Sequence, residues 1–131
     1  MAKLTHVCVI TADVSRLTEF YRHVLGMDPT RAHDDYVEFA TPAGALSLYA
    51  QSKLEPYAPG ATSPRRNRSV MIEFEVDDVD AEYERLRRAP IEWVKTPSTQ
   101  PWGNRSIYLR DPDGNLLNLY TRVGPTGERP A

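Results

Sequence analysis

An α+β protein of two tandem β-α-β-β-β modules, forming a curved mixed sheet with a concave ligand cup, is the architecture this sequence predicts. Three observations lead there. Arg105 to Tyr120 reads as two strands folded about Asp111-Pro112-Asp113-Gly114-Asn115: Pro112 presets φ at the first corner, and Gly114 supplies the positive φ that returns the chain to a strand. Val7-x-Val9 followed by Asp13-Val14 recurs as Ile72-x-Phe74 followed by Asp78-Val79. Ala45-Leu46-Ser47-Leu48-Tyr49 recurs as Leu116-Leu117-Asn118-Leu119-Tyr120, at a slightly larger offset that loop length absorbs. An internal duplication follows.

The elements come in the order that duplication requires. Leu4 to Thr11 is apolar and β-branched, hence a strand, and Asp13 offers an N-cap to a helix from Val14 to Leu25. Val14, Leu17, Phe20 or Tyr21, and Val24 form its apolar stripe, and Gly26 ends it. Tyr36 to Ala40 and Ala45 to Ala50 read as strands, with a further short strand around Met27 to Arg31. Residues 1–50 make the first module. Residues 51–68 carry three prolines and few apolar side chains, which reads as a linker or covering loop. The second module, 69–123, restarts the pattern: a strand from Val70 to Val76, a helix capped by Asp78 and ended before Pro90, a strand from Ile91 to Lys95, a loop from Thr96 to Asn104, then the hairpin. Residues 124–131 read as a flexible tail.

Composition excludes several functions. A 131-residue chain with 40% hydrophobic and 26% charged residues has the make-up of an ordinary globular protein. Its net charge of −2 offers no nucleic-acid face, and Arg65-Arg66-Asn67-Arg68 reads as a solvated stretch of the linker. The single cysteine, Cys8, rules out an intramolecular disulfide and suits a reducing compartment. Val7 to Ile10 is too short an apolar run near Met1 for a signal sequence or a membrane span, so the cytoplasm is the expected location.

Period two fixes faces once the helix side is known. The helices are expected to cover Val7, Val9, Leu46 and Leu48 in one module, and Ile72, Phe74, Val76, Leu117 and Leu119 in the other. His6, Cys8, Ser47 and Tyr49, and Met71, Glu73, Glu75, Asn118 and Tyr120, are then left for the open face. A concavity lined by His6, Ser47, Met71 and Asn118 is where a ligand is expected.

Here the sequence resembles the vicinal oxygen chelate superfamily, which groups glyoxalase I, extradiol dioxygenases, fosfomycin-resistance enzymes and bleomycin-resistance proteins. The resemblance runs from Leu4 to Thr121. It rests on His6 followed by Asp13-Val14, on Phe20-Tyr21-x-x-Val24-Leu25-Gly26-Met27, on Phe74-Glu75-Val76-Asp77-Asp78-Val79, and on Tyr108-x-x-Asp111-Pro112-Asp113-Gly114-Asn115. It implies two β-α-β-β-β modules forming a cup, usually in a homodimer. In metal-dependent members the ligands come from the first and last strands of each module, places that fall here on His6, Ser47, Met71 and Asn118. Only His6 is a usual ligand. A hydroxyl, a thioether and an amide are poor substitutes for carboxylate and imidazole, and a two-residue slip would add only Glu73. No cofactor and no catalytic metal are therefore expected.

The remaining candidates divide between packing and chemistry. His6 reads as a ligand or general base, or as a cavity-lining side chain; Glu73 is the other candidate base. Cys8 reads as a small buried filler or, alternatively, an activated thiolate, and His23 and His33 read as solvated. Tyr49, Tyr120 and Trp102 are the expected contacts for an aromatic ligand, with Trp102 on a loop, Pro97 to Asn104, able to close over the cup. The leading reading is a small-molecule binding protein without a metal, as a homodimer with no nucleic-acid or membrane partner. Its rivals are a metal-dependent lyase or dioxygenase with unusual ligands, a metal-free enzyme using Glu73 and His6, and a partner module in a larger assembly.

Overall fold

The structure, a computed structural model, describes residues 1–124, so the expected tail beyond Gly124 lies outside the described residues. Contacts divide the chain into one unit ending at Arg66 and a second starting at Asn67. Each unit is a β-α-β-β-β module with a four-stranded mixed sheet. Among the described residues no helix is long and apolar enough to cross a membrane.

In the first unit β1 (His6–Thr11) leads through α1 (Val14–Leu25) to β2 (Arg31–Ala32), β3 (Tyr36–Ala40) and β4 (Ala45–Ala50). The sheet order is β1-β4-β3-β2, with β1 parallel to β4 and the other pairs antiparallel. Helix α1 begins where Asp13 accepts a hydrogen bond from the Arg16 amide (3.0 Å) and stops where Gly26 turns left-handed (φ 64), its amide donating to the Arg22 carbonyl. Its buried stripe is Val14, Leu17, Tyr21 and Val24. Tyr21, fully enclosed, takes the position that spacing left open between it and Phe20, and the two rings meet edge to face at 5.2 Å. Val37, Phe39, Leu46 and Leu48 cover the helix side of the sheet. Burial of each such side chain contributes roughly 1.5–3 kcal/mol.

Two expectations fail in this unit. Val7 keeps 38% of its surface and Val9 is half-buried, because β1 is an edge strand that begins at His6, ahead of the stretch the helix covers. The short extra strand is Arg31–Ala32, displaced from Met27 to Arg31 because it pairs with Glu38 and Val37 of β3. After β4 the chain makes one helical turn, α2 (Gln51–Leu54), inside the expected linker.

The second unit repeats the plan with β5 (Met71–Glu75), α3 (Val79–Leu86), β6 (Glu92–Thr99), β7 (Asn104–Arg110) and β8 (Leu116–Arg122), in the order β5-β8-β7-β6. Asp78 caps α3 by accepting from the Ala81 amide (3.1 Å). Val79 and Leu86 bury against Ile107, Leu109, Leu117 and Leu119, and Tyr83 meets Trp93 edge to face at 5.0 Å. The β7–β8 turn forms as expected: Asp111 Oδ1 accepts from the amides of Asp113 and Asn115 (both 2.9 Å), Oδ2 accepts from the Asn115 side chain (2.8 Å), and Gly114 takes φ 88.

The loop expected from Thr96 to Asn104 is mostly strand. β6 runs to Thr99 through register shifts on either side of Lys95, and a tight turn with Gly103 at φ 95 brings Gln100 back to Asn104. Pro97 is tolerated because β6 is an edge strand with an irregular ladder, where a missing N–H costs little. Trp102 consequently stands on a short turn instead of a long closing loop.

Candidate functional site

In the first unit the face away from α1 carries one cross-strand row: Cys8 on β1 stands beside Ser47 on β4, which stands beside Glu38 on β3, which stands beside Arg31 on β2. Residues paired in register share a face, so His6 and Tyr49, two positions along from Cys8 and Ser47, and Tyr36, two along from Glu38, belong to it as well. Ser47 is 1% exposed and Glu38 9%.

A polar network centres on Glu38. Its Oε1 accepts a hydrogen bond from His6 Nε2 and another from the Tyr36 hydroxyl at 3.1 Å. The hydrogen bond from His6 holds the Glu38 carboxyl below its usual range; burial opposes this, and Tyr36 and the positive charge of Arg31 add to it. With Glu38 ionised, Nε2 of His6 carries the proton, and Nδ1 faces the Thr5 hydroxyl at 2.9 Å. Burial raises the Tyr36 phenol, against a hydrogen bond with Ser47 that lowers it. Tyr36 and Tyr49 meet edge to face at 5.9 Å, which makes an aromatic strip beside the carboxylate. At the start of β1 a cavity of about 300 Å³ is lined by Lys3, Thr5, His6, Glu38, Thr41 and Gly44, among others.

Glu38 and Tyr36 are absent from the candidates that sequence reasoning selected. A signal for them existed, since in Tyr36-Val37-Glu38-Phe39-Ala40 the apolar Val37 and Phe39 claim the helix side and leave Glu38 on the face of Ser47.

In the second unit the corresponding row is Glu73, Asn118, Tyr108 and Lys95. Asn118, 2% exposed, donates from Nδ2 to Glu73 Oε2 at 2.8 Å, and among the described residues its Oδ1 has no hydrogen-bond partner. The Lys95 ammonium lies 5.9 Å from the centre of the Tyr108 ring. Tyr120 is half-buried opposite Ser106, and Met71 opens with Arg110 and Leu116 onto a cavity of about 160 Å³.

The expected set thus falls on two open faces, His6, Ser47 and Tyr49 in one unit and Met71, Glu73, Asn118 and Tyr120 in the other. Parallel pairing of β1 with β4 and of β5 with β8 sets Cys8 beside Ser47 and Glu73 beside Asn118, a register that no local pattern encodes. Cys8, expected as a buried filler, is exposed, because β1 is an edge strand.

The four positions that the metal-dependent pattern would use do not fit a divalent ion. His6 Nε2 is engaged by Glu38, while Ser47, Met71 and Asn118 supply a hydroxyl, a thioether and a neutral amide. Among the described residues no three His, Cys, Asp or Glu side chains converge as a metal site.

Comparison with known proteins agrees with this architecture. Residues 3–119 match the family model described as the Glyoxalase/Bleomycin resistance protein/Dioxygenase superfamily. The uncharacterized protein YraH of Bacillus subtilis is 25% identical over 125 residues, spanning 90% of this chain and 97% of that protein. The phenazine antibiotic resistance protein EhpR of Enterobacter agglomerans is 28% identical over 114 residues, 85% of each chain. The crystal structure of a glyoxalase/bleomycin resistance protein/dioxygenase from Nocardioides superposes with a TM-score of 0.78 at 26% identity, covering 99% of this chain and 91% of that one.

Proposed function

We propose that this chain, which belongs to the Glyoxalase/Bleomycin resistance protein/Dioxygenase superfamily, binds a small aromatic or heteroaromatic molecule on its open sheet faces without a catalytic metal. The observation that carries the reading is the donor set. At the positions where metal-dependent members place ligands, His6 is tied to the Glu38 carboxylate, and Ser47, Met71 and Asn118 offer a hydroxyl, a thioether and a neutral amide in place of anionic oxygen or imidazole. Tyr36 and Tyr49 supply apolar area with polar tips beside a deep carboxylate, which suits a planar ligand with a polar edge. The similarity to a phenazine antibiotic resistance protein supports a planar, nitrogen-containing ligand.

The protein works in this reading as a homodimer in the cytoplasm. The unpaired edge of β1, with Val7 exposed, leaves strand surface that a second copy would cover, and a single exposed thiol suits a reducing compartment. The test joins elemental analysis of protein purified without chelator to a thermal-shift screen of planar compounds and divalent metals. Expected are no stoichiometric metal and a rise in Tm with a planar compound, equivalent to roughly 2.7 kcal/mol at a hundred times Kd. One equivalent of Ni, Zn, Fe or Mn, removed by chelator together with a lyase or dioxygenase activity, would replace this reading with that of a metalloenzyme. Light scattering at the mass of one 14.8 kDa chain would remove the dimer.

A further inference from the structure

The Glu38 carboxylate has two oxygens in unequal circumstances. Both of its hydrogen bonds, from His6 Nε2 and from the Tyr36 hydroxyl, fall on Oε1. Among the described residues Oε2 receives none, although Glu38 is only 9% exposed and forms part of the wall of the 300 Å³ cavity. That oxygen keeps some solvent contact at the cavity wall, so it is open to an incoming donor. His6 and Tyr36 also fix the carboxylate in orientation, so the second oxygen is presented as a rigid acceptor.

We propose that Glu38 is the specificity-determining residue of the ligand site and that its Oε2 accepts a hydrogen bond from a ring N–H or amino group of a neutral heteroaromatic ligand. This inference rests on the reading of the protein as a binder of planar molecules and names the chemistry that the planar molecule must carry. Charge decides between a neutral donor and a cation. Arg31 stands beside Glu38 in the cross-strand row, and Lys3 lines the same cavity, so a ligand cation would meet two positive side chains where a neutral N–H meets none of that opposition. The edge-to-face pair of Tyr36 and Tyr49 lies on the same face on the other side of Glu38 from the cavity, where it offers an adjoining aromatic surface.

Indole and benzofuran test the proposal because they match in shape and differ in one atom: indole has a ring N–H, benzofuran a ring oxygen with no donor. Dissociation constants from ligand-observed NMR titration should favour indole by about tenfold, the ratio expected for one hydrogen bond to a charged acceptor. In Glu38→Gln the side-chain oxygen stays with His6 and Tyr36, which need an acceptor, and the amide NH₂ takes the place of Oε2. The preference should then vanish or reverse toward benzofuran.

Equal binding of the two probes to the native protein, with Glu38→Gln indifferent, would overturn the role of Glu38 and leave the binding of planar molecules standing. Failure of both probes to bind would overturn this proposal, and failure of the whole planar screen would remove the underlying reading with it. If Glu38→Gln does not fold, the ratio measured on native protein decides alone, since a ratio near one refutes the acceptor.

Discussion

Replacing Asp111 by alanine tests whether the β7–β8 turn is held by its own side chain or only by the strands it joins. Asp111 is 4% exposed, and its carboxylate receives the Asp113 amide, the Asn115 amide and the Asn115 side chain at 2.8–2.9 Å. Hydrogen bonds to a charged group contribute about 1.5–3 kcal/mol each, and three sharing one acceptor group do not add fully, so a loss of about 3–5 kcal/mol is expected. The backbone bonds from Gly114 to Asp111 and from Asp111 to Asn115 survive the substitution and cap the loss. At about 4 °C per kcal/mol, a value between those of smaller and larger domains, Tm should fall by about 12–20 °C. Asp111→Asn separates the contributions. Its oxygen can still receive the two amides, but its NH₂ opposes the Asn115 side chain, so a smaller loss of about 1.5–2 kcal/mol is expected. The damage should spread to the start of β5, because Asn67 donates to Asn115 at 3.2 Å and so ties that entry segment to the turn. Urea and thermal unfolding followed by circular dichroism give both numbers. A loss below about 1 kcal/mol for Asp111→Ala would show that strand pairing alone determines the turn.

Two further outcomes are expected. Gly114→Ala should cost about 1–2 kcal/mol purely through its φ of 88, since nothing lies within 4 Å of the added carbon; a neutral result in urea unfolding would refute the strain. The folded state depresses Glu38, so its pairing stabilises above the unfolded carboxylate pKa, near 4.5, and that share is lost as pH falls through the lower folded value. Urea midpoints measured from pH 6 down to pH 3 should therefore fall less steeply in Glu38→Gln than in the native protein, and parallel profiles would refute the linkage.

Sequence alone determined what local chemistry encodes. The capping aspartates Asp13 and Asp78, the left-handed Gly26 and Gly114, the buried stripe of α1 and the period-two alternation in β4 and β8 act over a few residues, so they predicted elements, faces and the repeated module. The loop expected from Thr96 to Asn104 failed at β6, because the chain runs on through Pro97 as an irregular edge strand, and edge position is decided by which strands pair. Register was beyond reach for the same reason. That Cys8 stands beside Ser47 and Glu73 beside Asn118 depends on parallel pairing between segments far apart in the chain. The candidate site shows the division most directly. Alternation placed His6 on the open face and held an unused signal for Glu38, but the two are 32 residues apart, and only the pairing of β1, β4 and β3 brings imidazole, carboxylate and phenol within hydrogen-bonding reach. A hydrogen bond needs positions set to a few tenths of an ångström, and across three strands tertiary packing alone sets them.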